Sequence, residues 1–263
     1  MLFRSEPITE PIFGELGIDQ VQLVPQSFGV LTEELATTLA ARHAKTAFRL
    51  HANVRVLQGR CVADISGLHH FPAWYAQAAR ISRLLGAPAY SGHAGLRCEA
   101  TFDEMLDNAR RLEDLFRCPV AIEGQYPMPG DPRLVSHWEE YKALFESDAK
   151  YALDLSHLNI LAHRTGRREE GLVAEMLACE RCIEVHVSAN DGTGDHHQIC
   201  ERSPWWADLL KFINPNAVVF SEGNHRRRKQ HDTYTARNAA ATGGHSKSQR
   251  CHERCRELHC ARK

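Results

Sequence analysis

Short apolar runs recur along the first 225 residues, each followed by a stretch whose apolar positions repeat at helical spacing. Gln20–Val24, Thr46–His51, Pro88–His93, Pro119–Glu123, Tyr151–Leu155, Cys182–Ser188 and Ala217–Glu222 read as strands. Within Ile183–Ser188 the apolar residues Ile183, Val185 and Val187 share one face, and Glu184, His186 and Ser188 share the other. Helix starts are legible between the strands. Thr101-Phe102-Asp103-Glu104 has the form of a capping box, ahead of Met105, Leu106, Ala109, Leu112, Leu115 and Phe116 at helical spacing. Ser203-Pro204 offers an N-cap and an N1 proline for a helix over Trp205–Ile213. Strands alternating with helices predict a parallel α/β architecture, the (β/α)8 TIM barrel. Only seven strands are visible. The eighth would have to come from Met1–Arg4, so a short or imperfect first strand is expected.

The periodic pattern stops after Asn224, and composition changes with it. Residues 226–263 carry 11 Lys+Arg against 3 Asp+Glu, whereas residues 1–225 carry 21 against 30. The whole-chain net charge of −1 therefore averages an acidic body and a basic end. We read 1–225 as the barrel domain and 226–263 as a disordered, low-complexity C-terminal tail. No apolar run is long enough for a membrane helix, and the start lacks the apolar core of a secretory signal. Nine scattered cysteines, an odd number, suit reduced thiols and a cytoplasmic location.

Histidine is the unusual residue, at 16 of 263. Polar residues close six successive strands: His51, His93, Glu123, Asp154, His186 and Glu222. Their spacing is about one β/α unit, since a barrel of roughly 250 residues divides into eight such units. Alternation turns them inward, toward the carboxyl-terminal mouth where barrel enzymes keep their active sites. Asp154-Leu155-Ser156-His157 and Asp195-His196-His197 add further candidates. The candidate metal ligands are His51, His93, Glu123, Asp154, His157, His186, Asp195, His197 and Glu222. Five imidazoles and four carboxylates exceed the needs of one ion and suit two or three ions of zinc, iron or manganese. Without cations, that many carboxylates in one mouth would repel one another.

The order of these nine residues resembles the trinuclear site of the endonuclease IV class, in the xylose isomerase-like TIM-barrel superfamily. A closer resemblance lies in Asp154-Leu155-Ser156-His157-Leu158-Asn159-Ile160 and in Glu184–Gly192 with Asp195-His196-His197. It continues in Pro204-Trp205-Trp206 and Ser221-Glu222-Gly223-Asn224. These stretches are similar to the DUF692 family of methanobactin biosynthesis proteins, over about residues 5–225. That resemblance implies a multinuclear iron enzyme with two or three Fe(II)/Fe(III) ions, working as a heterodimer with a small partner protein of the MbnC type. It implies dioxygen-dependent conversion of cysteines in a precursor peptide into oxazolone and thioamide groups. On this reading His157, Asp195 and His197 hold the ion nearest the peptide and are the catalytic residues. Asn159, Asn190 and Asp191 are expected to contact substrate or support the ligands, or else to form loop turns.

Other readings compete. A metal-dependent phosphodiesterase shares the ligand set, but nucleic-acid affinity rests on Lys/Arg contacts to phosphate and the body is acidic. A sugar isomerase shares the fold, and a non-catalytic metal- or peptide-binding module is the third rival. His69-His70 reads as a helix entry, and Trp205 and Trp206 as helix-packing residues. Cys179-Glu180-Arg181-Cys182 has C-x-x-C form, but its second cysteine opens a predicted buried strand. Cys251, His252, Cys255, His259 and Cys260 have spacings that make a weak metal motif.

Overall fold

A computed structural model of the chain describes residues 8–25, 29–59 and 61–225. The proposed strand in Met1–Arg4 and the basic segment with its Cys/His motif lie outside them. A two-stranded antiparallel hairpin, β1 (Ile8–Glu10) and β2 (Gly14–Leu16), precedes the sheet. It was not expected from the sequence, because three-residue strands are too short to show a period. Phe13 at its turn stacks on Trp206, with ring centroids 6.5 Å apart.

Seven parallel strands follow in chain order: β3 (Gln20–Leu23), β4 (Ala47–Leu50), β5 (Tyr90–His93), β6 (Val120–Glu123), β7 (Tyr151–Asp154), β8 (Cys182–Val187) and β9 (Val218–Ser221). Helices α1 (Glu33–Arg42), α2 (Pro72–Leu84), α3 (Phe102–Phe116), α4 (Trp138–Glu146), α5 (Leu155–Thr165) and α6 (Glu170–Ala178) return the chain between them. All seven expected strands are present, trimmed by up to two residues at either end. The fold is a nearly closed TIM barrel: β3 and β9 approach one another, but no ladder of hydrogen bonds joins them. The compact body ends at Gly223.

Local chemistry explains the elements. Thr101 caps α3 through a reciprocal capping box with Glu104. Alternation along β8 buries Glu184 and His186 in the barrel, with Val185 and Val187 on the opposite face toward the helices. The expected helix over Trp205–Ile213 is instead a 3-10 turn over Ala207–Phe212. Ala207 N–H bonds Pro204 O, Leu209 N–H bonds Trp206 O and Ile213 N–H bonds Leu210 O, all at i to i+3. Pro215 disfavours helical geometry at Asn214 and so ends the segment there. His69-His70 does lead into α2, which opens at Pro72.

Beneath the mouth the barrel interior is polar. Arg49 Nη1 donates to Glu184 Oε1 at 2.8 Å with both side chains buried. Gln22 Nε2 reaches Ser91 Oγ at 3.2 Å and Glu184 Oε2 at 3.0 Å from the first barrel strand. Cys118, Cys179, Cys182 and Cys200 are free thiols, and burial pushes the Cys182 thiol up to about 12, so it stays protonated. No described helix is long and apolar enough to cross a membrane.

Candidate metal centre

Strand registers bring the ionisable residues together. His93 pairs directly with Glu123, and Asp154 with His186. His51 and Glu222 lie one residue beyond their strands. Backbone bonds from His51 N–H to Leu23 O and from Glu222 N–H to Val187 O, each 3.0 Å, hold them in line with the sheet. Asp154 ends β7 and caps α5 with no intervening loop. Its Oδ1 accepts from Ser156 N–H at 2.7 Å and His157 N–H at 3.2 Å, leaving Oδ2 to face the mouth. The same cap sets His157 three residues on, with its Nε2 3.2 Å from Asp154 Oδ2. Asp195 and His197 come from the loop after β8, closed by the paired bonds of Ala189 with Gln198 at 2.7 and 2.9 Å. His197 itself has φ +46°, a left-handed conformation that costs on the order of 1–3 kcal/mol in a non-glycine residue.

Glu123 lies at the centre, almost fully buried. Its oxygens are 3.5 Å from His51 Nε2, 3.7 Å from His93 Nε2, 3.6 Å from His157 Nδ1 and 3.5 Å from His186 Nδ1. Glu222 Oε1 is 3.7 Å from His186 Nδ1 and 3.9 Å from His51 Nε2, and its Oε2 is 3.4 Å from His197 Nδ1. Asp195 Oδ2 stands 3.4 Å from His157 Nε2 and 3.1 Å from His197 Nε2. The structure thus gathers all nine candidate ligands into one network.

Most of these separations are too long for good hydrogen bonds. They suit two ligands of one ion, since donors about 2.1 Å from a tetrahedral metal lie roughly 3.4 Å apart. Glu123 Oε2, Asp154 Oδ2, His186 Nδ1 and His197 Nδ1 are buried and make no hydrogen bond. Orphaned buried donors and acceptors are costly, and cations shared across the network would satisfy them. Three overlapping sets have ligand atoms within 4.8 Å of one another: His51–Glu123–His186, Glu123–Asp154–His157 and Asp154–His186–Glu222. The donor set fits two or three divalent ions sharing carboxylates.

Charge in the metal-free network is redistributed through protons. Burial works against ionising His157, but Asp154, Asp195 and Glu123 outweigh it and raise its pKa to about 10. The carboxylates of Asp195 and Glu222 beside its ring raise His197 to about 11. Burial raises Asp154 to about 7, whereas the surrounding histidines overcome burial and hold Glu222 at about 2. Burial lowers His51, so it stays neutral and ready to coordinate.

Asn159 Nδ2 donates to Asn190 Oδ1 at 2.8 Å, and Asn190 Nδ2 donates to Ser156 O and Oγ at 2.8 and 2.7 Å. These two asparagines tie the β8 loop to α5, and Ser156 Oγ in turn donates to Asp195 Oδ1 at 3.1 Å. Asp191 is exposed and accepts from Thr193 N–H and Oγ1–H within its own turn. Three neighbours escaped the sequence reading. Tyr126 packs 5.0 Å from the His157 ring, with the Arg133 guanidinium 4.5 Å over its face. Asp64 Oδ1 lies 3.2 Å from His93 Nδ1. None of the three belongs to a periodic segment, and only the loops of the folded chain bring them here.

No protein-family model and no curated protein matches the chain by sequence. Solved structures do resemble it. A D-tagatose 3-epimerase-like protein superposes with TM-score 0.56 at 13% identity, covering 83% of this chain and 87% of that one. A family 2 AP endonuclease from Brucella melitensis gives 0.54 at 14%, covering 84% and 89%. A xylose isomerase domain protein from Planctomyces limnophilus gives 0.51 at 12%, covering 84% and 91%. At these identities the likeness concerns the fold, and the chain has the xylose isomerase-like TIM-barrel fold.

Proposed function

We propose that the protein is a multinuclear metal-dependent enzyme working at the carboxyl-terminal mouth of the barrel. The observation that carries this reading is the set of four buried, unbonded ligand atoms around Glu123. Nitrogen and carboxylate donors without cysteine suit iron, and zinc or manganese as alternatives. Solved structures with this fold include proteins named as epimerases and an AP endonuclease, so the fold hosts several chemistries.

The finer reading rests on the motifs Asp154–Ile160, Glu184–Gly192 with Asp195–His197, and Ser221–Asn224, which resemble the DUF692 family. On it the protein is an iron-dependent oxidoreductase that modifies cysteines of a precursor peptide to oxazolone and thioamide in methanobactin-type biosynthesis. The four electrons removed from the peptide pass to dioxygen, which is reduced to water. A small partner protein of the MbnC type would complete the heterodimer. Bound iron supplies the redox chemistry. His157, Asp195 and His197 hold the outermost position, where His197 is 44% exposed and open to a peptide. Glu123 and the remaining ligands hold the other ions, and Glu123, Asp154 and His186 among them are almost fully buried, which excludes water. The ligand set contains no sulfur, so a substrate thiolate would be a soft ligand without an internal competitor.

The test is anaerobic co-expression with a candidate partner, metal analysis, and dioxygen uptake in the presence of a cysteine-containing peptide. Iron at two or more per chain and a peptide mass change coupled to dioxygen use support the proposal. Zinc alone with no dioxygen uptake would falsify it. Cleavage of an abasic-site duplex would favour the phosphodiesterase reading, which the shared ligand order supports and the acidic body disfavours.

A further inference from the structure

Three imidazoles of the cluster carry support on a second nitrogen. His186 Nε2 lies 3.2 Å from Glu184 Oε2, and His157 Nδ1 lies 2.9 Å from the Gly124 carbonyl oxygen. Both supports come from the barrel strands or their immediate ends. His51 Nδ1, by contrast, is buried and makes no hydrogen bond. His93 differs from all of these, because its support arrives from a long loop. Asp64, from the segment between β4 and α2, places Oδ1 3.2 Å from His93 Nδ1 and is itself buried.

Two independent features put Asp64 there. Asn53 takes a left-handed φ of +63°, and its side-chain amide works in both directions. Its Nδ2 donates to Asp64 Oδ1 at 3.3 Å, while its Oδ1 accepts the Ala63 N–H at 2.6 Å, pinning the residue before Asp64. From the other side, Gly95 follows β5 at φ +103° and lets its backbone close on the loop. A Cβ at Gly95 would stand 2.0 Å from Ser66 Oγ and 3.0 Å from Asp64 Cβ. The loop is thus latched by one residue and admitted by another, and both converge on the same carboxylate.

We propose that Asp64 is a positioning residue for the ion shared by His93 and Glu123. Its carboxylate accepts the His93 Nδ1–H, which fixes the tautomer and turns the Nε2 lone pair toward Glu123. A carboxylate behind a ligating imidazole also makes the imidazole a stronger donor. Asp64 contacts no substrate in this role and acts through His93 alone. The proposal rests on the metal-centre reading given above.

The full-length protein is titrated with Co(II) and with Zn(II) against a chromophoric chelator, as wild type, Asp64→Asn, Asp64→Ala, His93→Ala and the double variant. Loss of the carboxylate in Asp64→Ala is expected to weaken one ion about 10–100-fold and leave the others unchanged. Asp64→Asn, which keeps an oxygen acceptor but not the charge, falls between. In the His93→Ala background, adding Asp64→Ala has no further effect on affinity. Wild-type affinities in both Asp64→Asn and Asp64→Ala would overturn the proposal while leaving the metal centre intact. So would equal weakening of every ion with a lower unfolding temperature of the metal-free protein, which marks a merely structural role. A further penalty of similar size in the His93→Ala background overturns it too. Failure of the wild type to bind metal removes the metal-centre reading itself, and the Asp64 proposal with it.

Discussion

Asp154 divides its two oxygens between structure and site: Oδ1 caps α5, and Oδ2 faces the cluster without a hydrogen bond. Asparagine caps helices as well as aspartate does, so Asp154→Asn separates the two duties. Unfolding by urea should change by less than about 1 kcal/mol, while metal affinity falls beyond the about 100-fold typical of outer-shell changes. Metal loading should also release protons, because His157 and His197 titrate at about 10 and 11 and must lose theirs to coordinate. At pH 8, calorimetric titration with zinc in buffers of different ionisation enthalpy should report about two protons freed from these residues. The strand-end ligands were legible in the sequence because each closes an alternating run one β/α unit from the last. Asp64, Tyr126 and Arg133 were not. Asp64 meets His93 29 residues away, through a loop whose order depends on the fold it helps to complete.

At the scale of elements, the sequence signals held where a short-range rule decided the outcome. The capping box of α3 is one such case, since both of its hydrogen bonds lie within four residues. Thr101→Ala should cost about 1 kcal/mol in urea unfolding without affecting metal uptake. The helix start at Pro204 misled as to type, since the segment closes i to i+3 bonds although the expected run is as long as α4 and α6. Tertiary closeness was likewise invisible. Gly124, whose carbonyl faces His157, admits the Tyr141 ring so tightly that a Cβ there would lie 2.3 Å from it. Gly124→Ala is therefore expected to cost about 1–3 kcal/mol and to loosen metal binding, read by thermal unfolding and chelator competition. Nothing in the sequence around Gly124 distinguishes it from a loop glycine.

For the whole molecule, the β/α alternation and the six strand-end residues made the barrel class and the place of the mouth readable. The N-terminal hairpin and the unpaired edges of β3 and β9 were not, because they depend on contacts between distant parts of the chain. The network's protonation also acts on the molecule as a whole. His157 and His197 have raised values, so the stability they lend the metal-free protein is complete below about 6.5 and fades as pH rises through about 10 and 11. Asp154, raised to about 7, loses its contribution between its ordinary value and that pH, in the same direction. Glu222, held at about 2, contributes above its ordinary value and loses the contribution in strong acid. The metal-free unfolding temperature should thus fall from mild acid to alkaline pH, while the gain from added metal grows over the same range. Differential scanning calorimetry at several pH values, with and without zinc, checks both slopes.

The missing ladder between β3 and β9 gives the rolled sheet a seam. His51, on the strand next to β3, and Glu222, at the end of β9, face each other across it at 3.9 Å. An ion held by both would tie β9 to β4, the strand ladder-bonded to β3, as a clasp fastens a cuff. Amide hydrogens of β3 and β9 should then exchange with deuterium more slowly in the loaded protein than in the metal-free one. Those of β6, ladder-bonded on both sides, should change far less. Loading the centre would in that way finish the closure of the barrel that the polypeptide leaves open.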